Sequence, residues 1–536
     1  MYMAIMAMVM AKNSNKKRLN KLSALIPLTL ASSVAFAGDW SFEPNIGITE
    51  TYSNNVELTS ANHQSSVVSQ FIASLDAKFK SREVDFSFSG TKTYAAYSHN
   101  SDLNNDYQSA SVDGLFSLWR DGPKLIASSR VTNISQNSAN NSLADLVSGD
   151  TVQQLTHTSG LQYQTANSSH NFNGSLIYNL TETEDSIGES KGYSATISST
   201  NGNAARNVFW SLSALYSDRE NTNSTGSNYS IEAQIGAITS FKLNPFLRFY
   251  DEDITGTAAG TNQATTSSWG PGIRWQASDH FYIDVSYNYV EDKTASDDYI
   301  ATNINWQPSQ RTSLVAGYNK RFFGSSYNLD LSHKTKRLTN KISYQESIEV
   351  FDRNSFQEFN LGEFWCPNDR PFDANTCLPS TQPPTDTTGF ILVPLTGLAP
   401  VENNEFSLNK RLAWNSTLSL SRTTFAFDVG TTERKSLSTG IITGNLNASL
   451  SATRTLSPRS SLKLLASYRE AIFDKNFVPT NPRQDDTYKT VSATYNRSLA
   501  SSLSAYFTLQ YLERESSQVA LTYEEIRAYI NITKDF

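Results

Sequence analysis

The chain has 536 residues, of which 38% are hydrophobic and 18% charged, and its formal net charge is −7. At that length a soluble chain would divide into several domains, yet here the polarity lies in Ser, Thr and Asn more than in charge, alongside 25 Tyr and 28 Phe. Such a composition argues against a helical or disordered chain and for strands joined by polar links, while the acidic balance argues against nucleic acid as a partner.

The first residues have the plan of an export signal. Lys12, Lys16, Lys17, Arg18 and Lys21 form a basic region, Leu22 to Phe36 an apolar one, and Ala35-Phe36-Ala37 a small-x-small cleavage site. Residues 1–37 are therefore expected to be removed, leaving Gly38 first. All five methionines stand at positions 1, 3, 6, 8 and 10, which points to Met10 as the start of translation. Removal takes five basic residues and no acidic one, and moves the net charge from −7 to about −12. No later stretch supplies the roughly 18 apolar residues of a spanning helix. An exported chain of this kind can sit in a membrane only as a closed barrel, whose strands satisfy one another's backbone groups.

From Trp40 onward, alternating segments of about ten residues follow one another, the pattern of membrane barrel strands. WSFEPNIGITETY opens the series. Phe172, Gly174, Leu176, Tyr178 and Leu180 then oppose Asn173, Ser175 and Asn179, and Phe281, Ile283, Val285, Tyr287 and Tyr289 oppose Asp284, Ser286 and Asn288. Near the end, Leu503, Ala505, Phe507, Leu509 and Tyr511 oppose Ser502, Ser504, Thr508 and Gln510. In the last segment Ile526, Ala528, Ile530, Ile532 and Phe536 share one parity against Arg527, Tyr529, Asn531 and Thr533.

Long polar links, among them 54–66, 135–150, 251–266 and 351–404, alternate with tight turns such as KSRE, RDGPK, ANSSH and LSPRS. This is the asymmetry of an outer-membrane barrel, with short periplasmic turns and long outer loops. The expected fold is all-β: a closed transmembrane antiparallel barrel of about 24 strands, range roughly 22 to 26, in the cell outer membrane. Both termini would lie in the periplasm. The first strand begins almost at the cleavage site, so no separate plug domain is expected. Phe536 would close the last strand in the interfacial aromatic girdle. With Ile530 and Ile532 it resembles the terminal signal by which outer-membrane proteins are presented to the barrel-assembly machinery.

The link at 351–404 contains Cys366 and Cys377, and an oxidising compartment makes their disulfide the default, contributing roughly 2 to 3 kcal/mol of local ordering. This link either caps the mouth or folds inward and constricts the pore. On the parity expected to face the lumen, Asp76, Lys78, Lys80, Lys92, Glu232, Asp284, Lys341, Lys463, Arg469 and Arg527 carry mixed charges, with no ring of one sign to select an ion. Acidic groups in outer loops, Glu182, Glu184, Asp185 and Glu189 in one and Asp251 to Asp253 in another, either stay hydrated or hold divalent cations with lipopolysaccharide. The six histidines are scattered, and neither GxSxG nor HExxH occurs, so catalytic, cofactor and metal residues are assigned to none.

One stretch carries a family likeness. Trp40 to Ser60, with Glu50-Thr51-Tyr52-Ser53-Asn54-Asn55-Val56 followed by a Ser- and Val-rich second strand, resembles the opening of the PEP-CTERM system-associated outer-membrane proteins. Asn54 stands where that family often has Asp. The resemblance is specific over about the first 60 mature residues, and beyond them it is architectural. It implies a large barrel accompanying exosortase and exopolysaccharide loci, acting as a conduit or scaffold for export of polysaccharide or sorted proteins, and it supplies no catalytic residue. The alternatives are a general diffusion porin and a structural or adhesive barrel whose lumen is occluded. Expected partners are outer-membrane lipid and lipopolysaccharide, the assembly machinery, and exopolysaccharide or export components.

Overall fold

The computed structural model describes residues 38–136, 146–147, 151–259, 264–291, 297–368, 378–380, 384, 387–472, 485–516 and 521–536; within 350–362, 393–404 and at 259, 264 and 379 it describes the backbone only. The expected signal sequence and Cys377 lie outside the described residues.

The strands are β1 (Asp39–Ser53), β2 (Ser66–Lys80), β3 (Val84–Tyr97), β4 (Asn105–Ser117), β5 (Lys124–Ser135), β6 (Thr151–Ala166), β7 (His170–Thr183) and β8 (Ser190–Asn201). Next come β9 (Val208–Glu220), β10 (Thr225–Ala237), β11 (Leu243–Thr255), β12 (Ala264–Ser278), β13 (Phe281–Val290), β14 (Tyr299–Ser309), β15 (Thr312–Arg321) and β16 (Gly324–Lys334). The series ends with β17 (Leu338–Pro367), the two-residue β18 (Leu378–Pro379), β19 (Phe390–Ser419), β20 (Thr423–Ser436), β21 (Ile442–Ser457), β22 (Ser460–Ile472), β23 (Asp485–Ala500), β24 (Leu503–Ser516) and β25 (Tyr523–Asp535). Leaving out β18, each pairs antiparallel with its predecessor and successor, and β25 pairs with β1, so the sheet closes on itself as a ring of 24 strands. Closure leaves the ring no free edge. Among the described residues no helix is long and apolar enough to cross a membrane.

The two faces of the ring differ in kind. Arg248 on β11 reaches Asn288 on β13 and Tyr299 on β14, and Arg321 on β15 reaches Glu252 on β11. Side chains can meet across three or four strands only on the concave face. The opposite parity faces outward and is apolar and exposed: Ile48, Phe71 and Tyr94 stand in one register row, and Leu176, Leu247, Val285, Leu509, Ile526, Ile530 and Ile532 belong to the same surface. The alternation read in the sequence is thus the alternation between the two faces of a closed sheet.

Connections alternate as expected. At the end that holds both termini they are short, such as 81–83, 167–169, 279–280 and 501–502, and at the other end most are longer. Turns at 202–207 and 420–422 complete the short series. The shorter link at Phe322–Phe323 on the long side is a two-residue turn, entered by β16 at Gly324 with φ +110°.

Two expectations are corrected. Residues 351–404 are not a link without secondary structure. β17 and β19 are 30 residues each and stay paired from Leu338↔Leu418 to Pro367↔Phe390. The pairing survives because both arms alternate through register shifts near Val350, Asp352 and Asn360, irregularities that hide the period from a sequence reading. Likewise, β11 runs through Asp251 to Asp253 to Thr255, so these acids stand on a strand and not in a loop.

Candidate functional site

The ring closes between the first and last strands, and side chains reinforce that seam along its length. On the concave face Asn45 Nδ2 donates to Asp535 Oδ1 at 2.7 Å, Asn531 Nδ2 to Thr49 Oγ1 at 2.7 Å, and Ser53 Oγ to Glu525 Oε1 at 2.5 Å. Beyond the end of β1 the family-like residues take over. Asn54 Oδ1 accepts the Ile526 N–H at 2.7 Å. Asn55, fully buried, donates from Nδ2 to the carbonyls of Thr59 and Glu524 and accepts from Thr59 N. Thr51 is buried on the concave side, whereas Tyr52 and Glu50 point outward and Glu50 accepts from Ser69 Oγ at 2.7 Å. Val56 packs with Val68, Ala95, Tyr97 and Tyr107 at the long-loop end.

A second, denser network lines the concave face from β9 to β15. Glycines at 236 and 272 have no side chain in the way of the Phe209 and Phe246 rings, which a Cβ there would meet at 2.5 and 2.3 Å. Over this aromatic floor the Arg274 guanidinium stacks on Phe209 at 4.1 Å and on Tyr282 at 4.4 Å, and it grips Asp284 with two bonds of 2.7 and 2.8 Å. Arg248 is tied to Glu232 at 2.7 Å and also to Asn288 and Tyr299. Glu252 takes Arg321 and the Tyr250 hydroxyl. Burial of these charges is tolerable because each has an opposite charge and further hydrogen bonds.

Near the long-loop end the ring is drawn together. Ile254, Ala258 and Phe406 form a buried cluster with Phe322, Ile348 and Leu437 against it. These come from β11, the 3-10 turn Thr257–Ala259, the turn before β16, both arms of the long hairpin and the loop after β20. β19 accordingly packs on that turn and touches β10, eight strands away around the ring. The mouth is narrowed here by the base of the hairpin.

Of the residues expected in the lumen, Asp76, Lys78, Lys80, Glu232, Asp284, Lys341, Lys463, Arg469 and Arg527 stand on the concave parity, and the network joins Glu232 and Asp284 to their arginines. Lys92 does not: it shares the outward parity of Phe88 and Tyr94 and pairs with Asp106 at 3.1 Å. It belongs to an outward rim of pairs that includes Lys191 with Glu220, Lys410 with Glu433, and Lys489 with Glu513 and Glu515. β3 carries Ser and Thr on its concave parity and Lys92 among aromatics on the other, so polarity alone assigned it to the wrong face. Arg248, Arg274, Asp486, Arg514 and Glu525 were not anticipated, and Glu252 was expected in an outer loop. Alternation is the signal that finds them: in LNPFLRFYDEDI, Arg248 and Glu252 alternate with Leu247, Phe249 and Asp251. Phe536 is exposed, donates its N–H to the Pro44 carbonyl at 3.0 Å, and has Lys534 Nζ over its ring at 4.7 Å. Cys366 is buried, while its expected partner Cys377 lies outside the described residues.

No family model and no curated protein matches the chain. Solved structures match the chain at low similarity. The siderophore receptor PirA from Pseudomonas aeruginosa is 8% identical with a TM-score of 0.40, covering 92% of this chain and 80% of its own. The FrpB iron transporter from Neisseria meningitidis is 8% identical at 0.42, covering 92% and 82%. A loop-deletion mutant of OmpT, an outer membrane protein of Vibrio cholerae, is 9% identical at 0.32, covering 93% and 100%.

Proposed function

We propose that this chain is an outer-membrane β-barrel acting as a conduit or scaffold in the export of surface polymer or sorted protein. The observation that carries the membrane reading is the division of the closed ring into an apolar, exposed outward face and a polar, ion-paired concave face. A sheet with no edge and an oily exterior satisfies its backbone groups in lipid, and in water the same exterior would be an extended sticky surface. The short turns lie with the termini on the periplasmic side and the hairpin points outward. At about 3.3 Å per residue each 30-residue arm reaches about 100 Å, far beyond the 9–11 residues that cross a bilayer.

The export role rests on the resemblance of Trp40 to Ser60 to the PEP-CTERM-associated outer-membrane family. The distinctive residues Asn54 and Asn55 sit at the seam and serve closure of the ring, so the export role rests on the resemblance alone. A second reading, an occluded surface barrel, is favoured by the cluster around Phe406 at the mouth. Deleting the gene and measuring exported polymer and sorted proteins at the cell surface tests the first. Unchanged surface material together with steady conductance of the refolded protein would leave a porin; unchanged material and no conductance would leave the occluded barrel.

A further inference from the structure

The concave wall from β19 to β23 contains a recess of about 360 Å³, within the size range of small-molecule sites. It exists because its floor is small-sided. Ala413 pairs with Gly430 in one register row and Ser449 with Ser467 in the next, and a Cβ added at Gly430 would meet only the Leu412 carbonyl at 3.8 Å. Larger side chains stand around this floor: Asn415, Asp428, Asn447, Arg469 and Tyr488.

Arg469 is the unusual member. Its guanidinium lies 5.5 Å from the centre of the Tyr488 ring, against which Arg514 also rests at 5.4 Å. Arg514 has a counter-charge in Asp486 at 2.6 Å. Arg469 makes no ion pair among the described residues, and its Nε, like that of Arg514, is shielded from solvent without a hydrogen-bond partner there, with the Tyr488 ring beside the guanidinium. Because Tyr488 is buried, it offers little open face on which a sugar ring would stack. Asp428 is the acidic residue among the lining side chains.

We propose that this recess binds a small organic anion, a carboxylate or phosphate ester that also carries hydroxyl or amino donors. A guanidinium presents a fork that matches a planar or tetrahedral oxyanion at two points. Lys341 and Lys463 stand on the same concave face and raise the local potential for anions. Asp428 repels a second anionic group and accepts from the ligand's donors, while the amides of Asn415 and Asn447 supply both donor and acceptor. The assignment rests on the reading of the concave face as an aqueous lumen.

Calorimetric titration of the full chain folded in detergent tests it, with gluconate, inorganic phosphate and glucose as probes. Gluconate or phosphate binds and glucose does not. Arg469→Gln weakens that binding by about tenfold or more, and Gly430→Leu, which fills the floor from a strand position, abolishes it. Lys78→Gln, at the short-turn end, leaves it unchanged. Folding of each variant is checked by its mobility in unheated gels. Binding of phosphate without gluconate, still dependent on Arg469, assigns the anionic group as phosphate and upholds the site. Equal binding of glucose, no binding by either anion, or full binding by folded Arg469→Gln overturns it. The titration does not depend on conductance. A silent channel with Arg469-dependent binding removes the conduit and keeps the site, and steady conductance without binding does the reverse.

Discussion

Asn54 grips Ile526, 472 residues away in sequence, through both of its polar ends: its backbone N–H donates to the Ile526 carbonyl at 3.2 Å and its side-chain oxygen accepts the Ile526 N–H at 2.7 Å. The pair lies just past the last register partners of β1 and β25, Ser53 and Arg527, and extends the closure by one more rung. Asn54→Ala removes the acceptor of the exposed Ile526 amide and is expected to cost about 0.5 to 1.5 kcal/mol. Asn54→Asp keeps an acceptor at that place and is expected to stay closer to the parent. Urea unfolding in lipid vesicles reads the difference, and an alanine variant as stable as the parent would place the strength of the seam elsewhere.

Neighbouring residues on β7 separate the two faces. Leu176 points outward and is exposed, whereas Ser175 is concave and shares a 2.7 Å hydroxyl contact with Thr196. Leu176→Arg is expected to cost about 2 to 4 kcal/mol if the position lies near the bilayer midplane. Ser175→Arg, with water available to its charge, is expected to cost far less. Equal losses in the two variants would mean that the outward face does not meet lipid.

How much of this was legible in sequence follows from what alternation can carry. Period two gave the strands, their number and the faces of Leu176 and Arg527, because each side chain reports its face directly. It failed at Lys92, where the concave neighbours are uncharged Ser and Thr and the outward lysine balances Asp106 on the next strand. Partners across three or four strands, such as Arg321 and Glu252, depend on the curvature of the ring, and no local pattern encodes that. The recess at Gly430 is written as small residues on four neighbouring strands, which becomes visible only once the register is known.

Arg274 and Asp284 provide a test of the concave network. Each alone has an uncompensated charge when the other is removed, so Arg274→Met or Asp284→Leu should destabilise by about 3 to 5 kcal/mol. The double variant is expected to recover much of that, because no lone charge remains and Phe209 and Tyr282 still offer packing surface. Strictly additive losses in a double-mutant cycle would refute the coupling.

Phe536 lies at the end of β25 with its ring exposed beside Lys534. A side chain with so little packing contributes little to the stability of the finished ring, so any large effect of its loss must arise during assembly. Deleting Phe536 is expected to lower the outer-membrane level of the protein severalfold while leaving the unfolding midpoint of the assembled fraction nearly unchanged. Thr439→Ala, in the loop after β20, is the comparison and should leave the level unaltered. Normal levels of the truncated chain would remove the terminal signal from the account.

The mouth offers the last test. Phe406 is fully buried among Ile254, Ala258, Phe322, Ile348 and Leu437, where the hairpin base meets a wall eight strands away. Phe406→Ala should cost about 3 to 5 kcal/mol if the cluster unfolds together with the ring. If instead the hairpin base opens separately, that energy is released locally and the global midpoint moves little. In that second case single-channel recordings should show the variant in wider or more frequent open levels than the parent, and the effect should be absent from Leu176→Arg. A lowered midpoint with unchanged conductance would mean that the cluster only holds the fold together. Unchanged conductance with an unchanged midpoint would show that the narrowing at Phe406 does not control passage through the lumen.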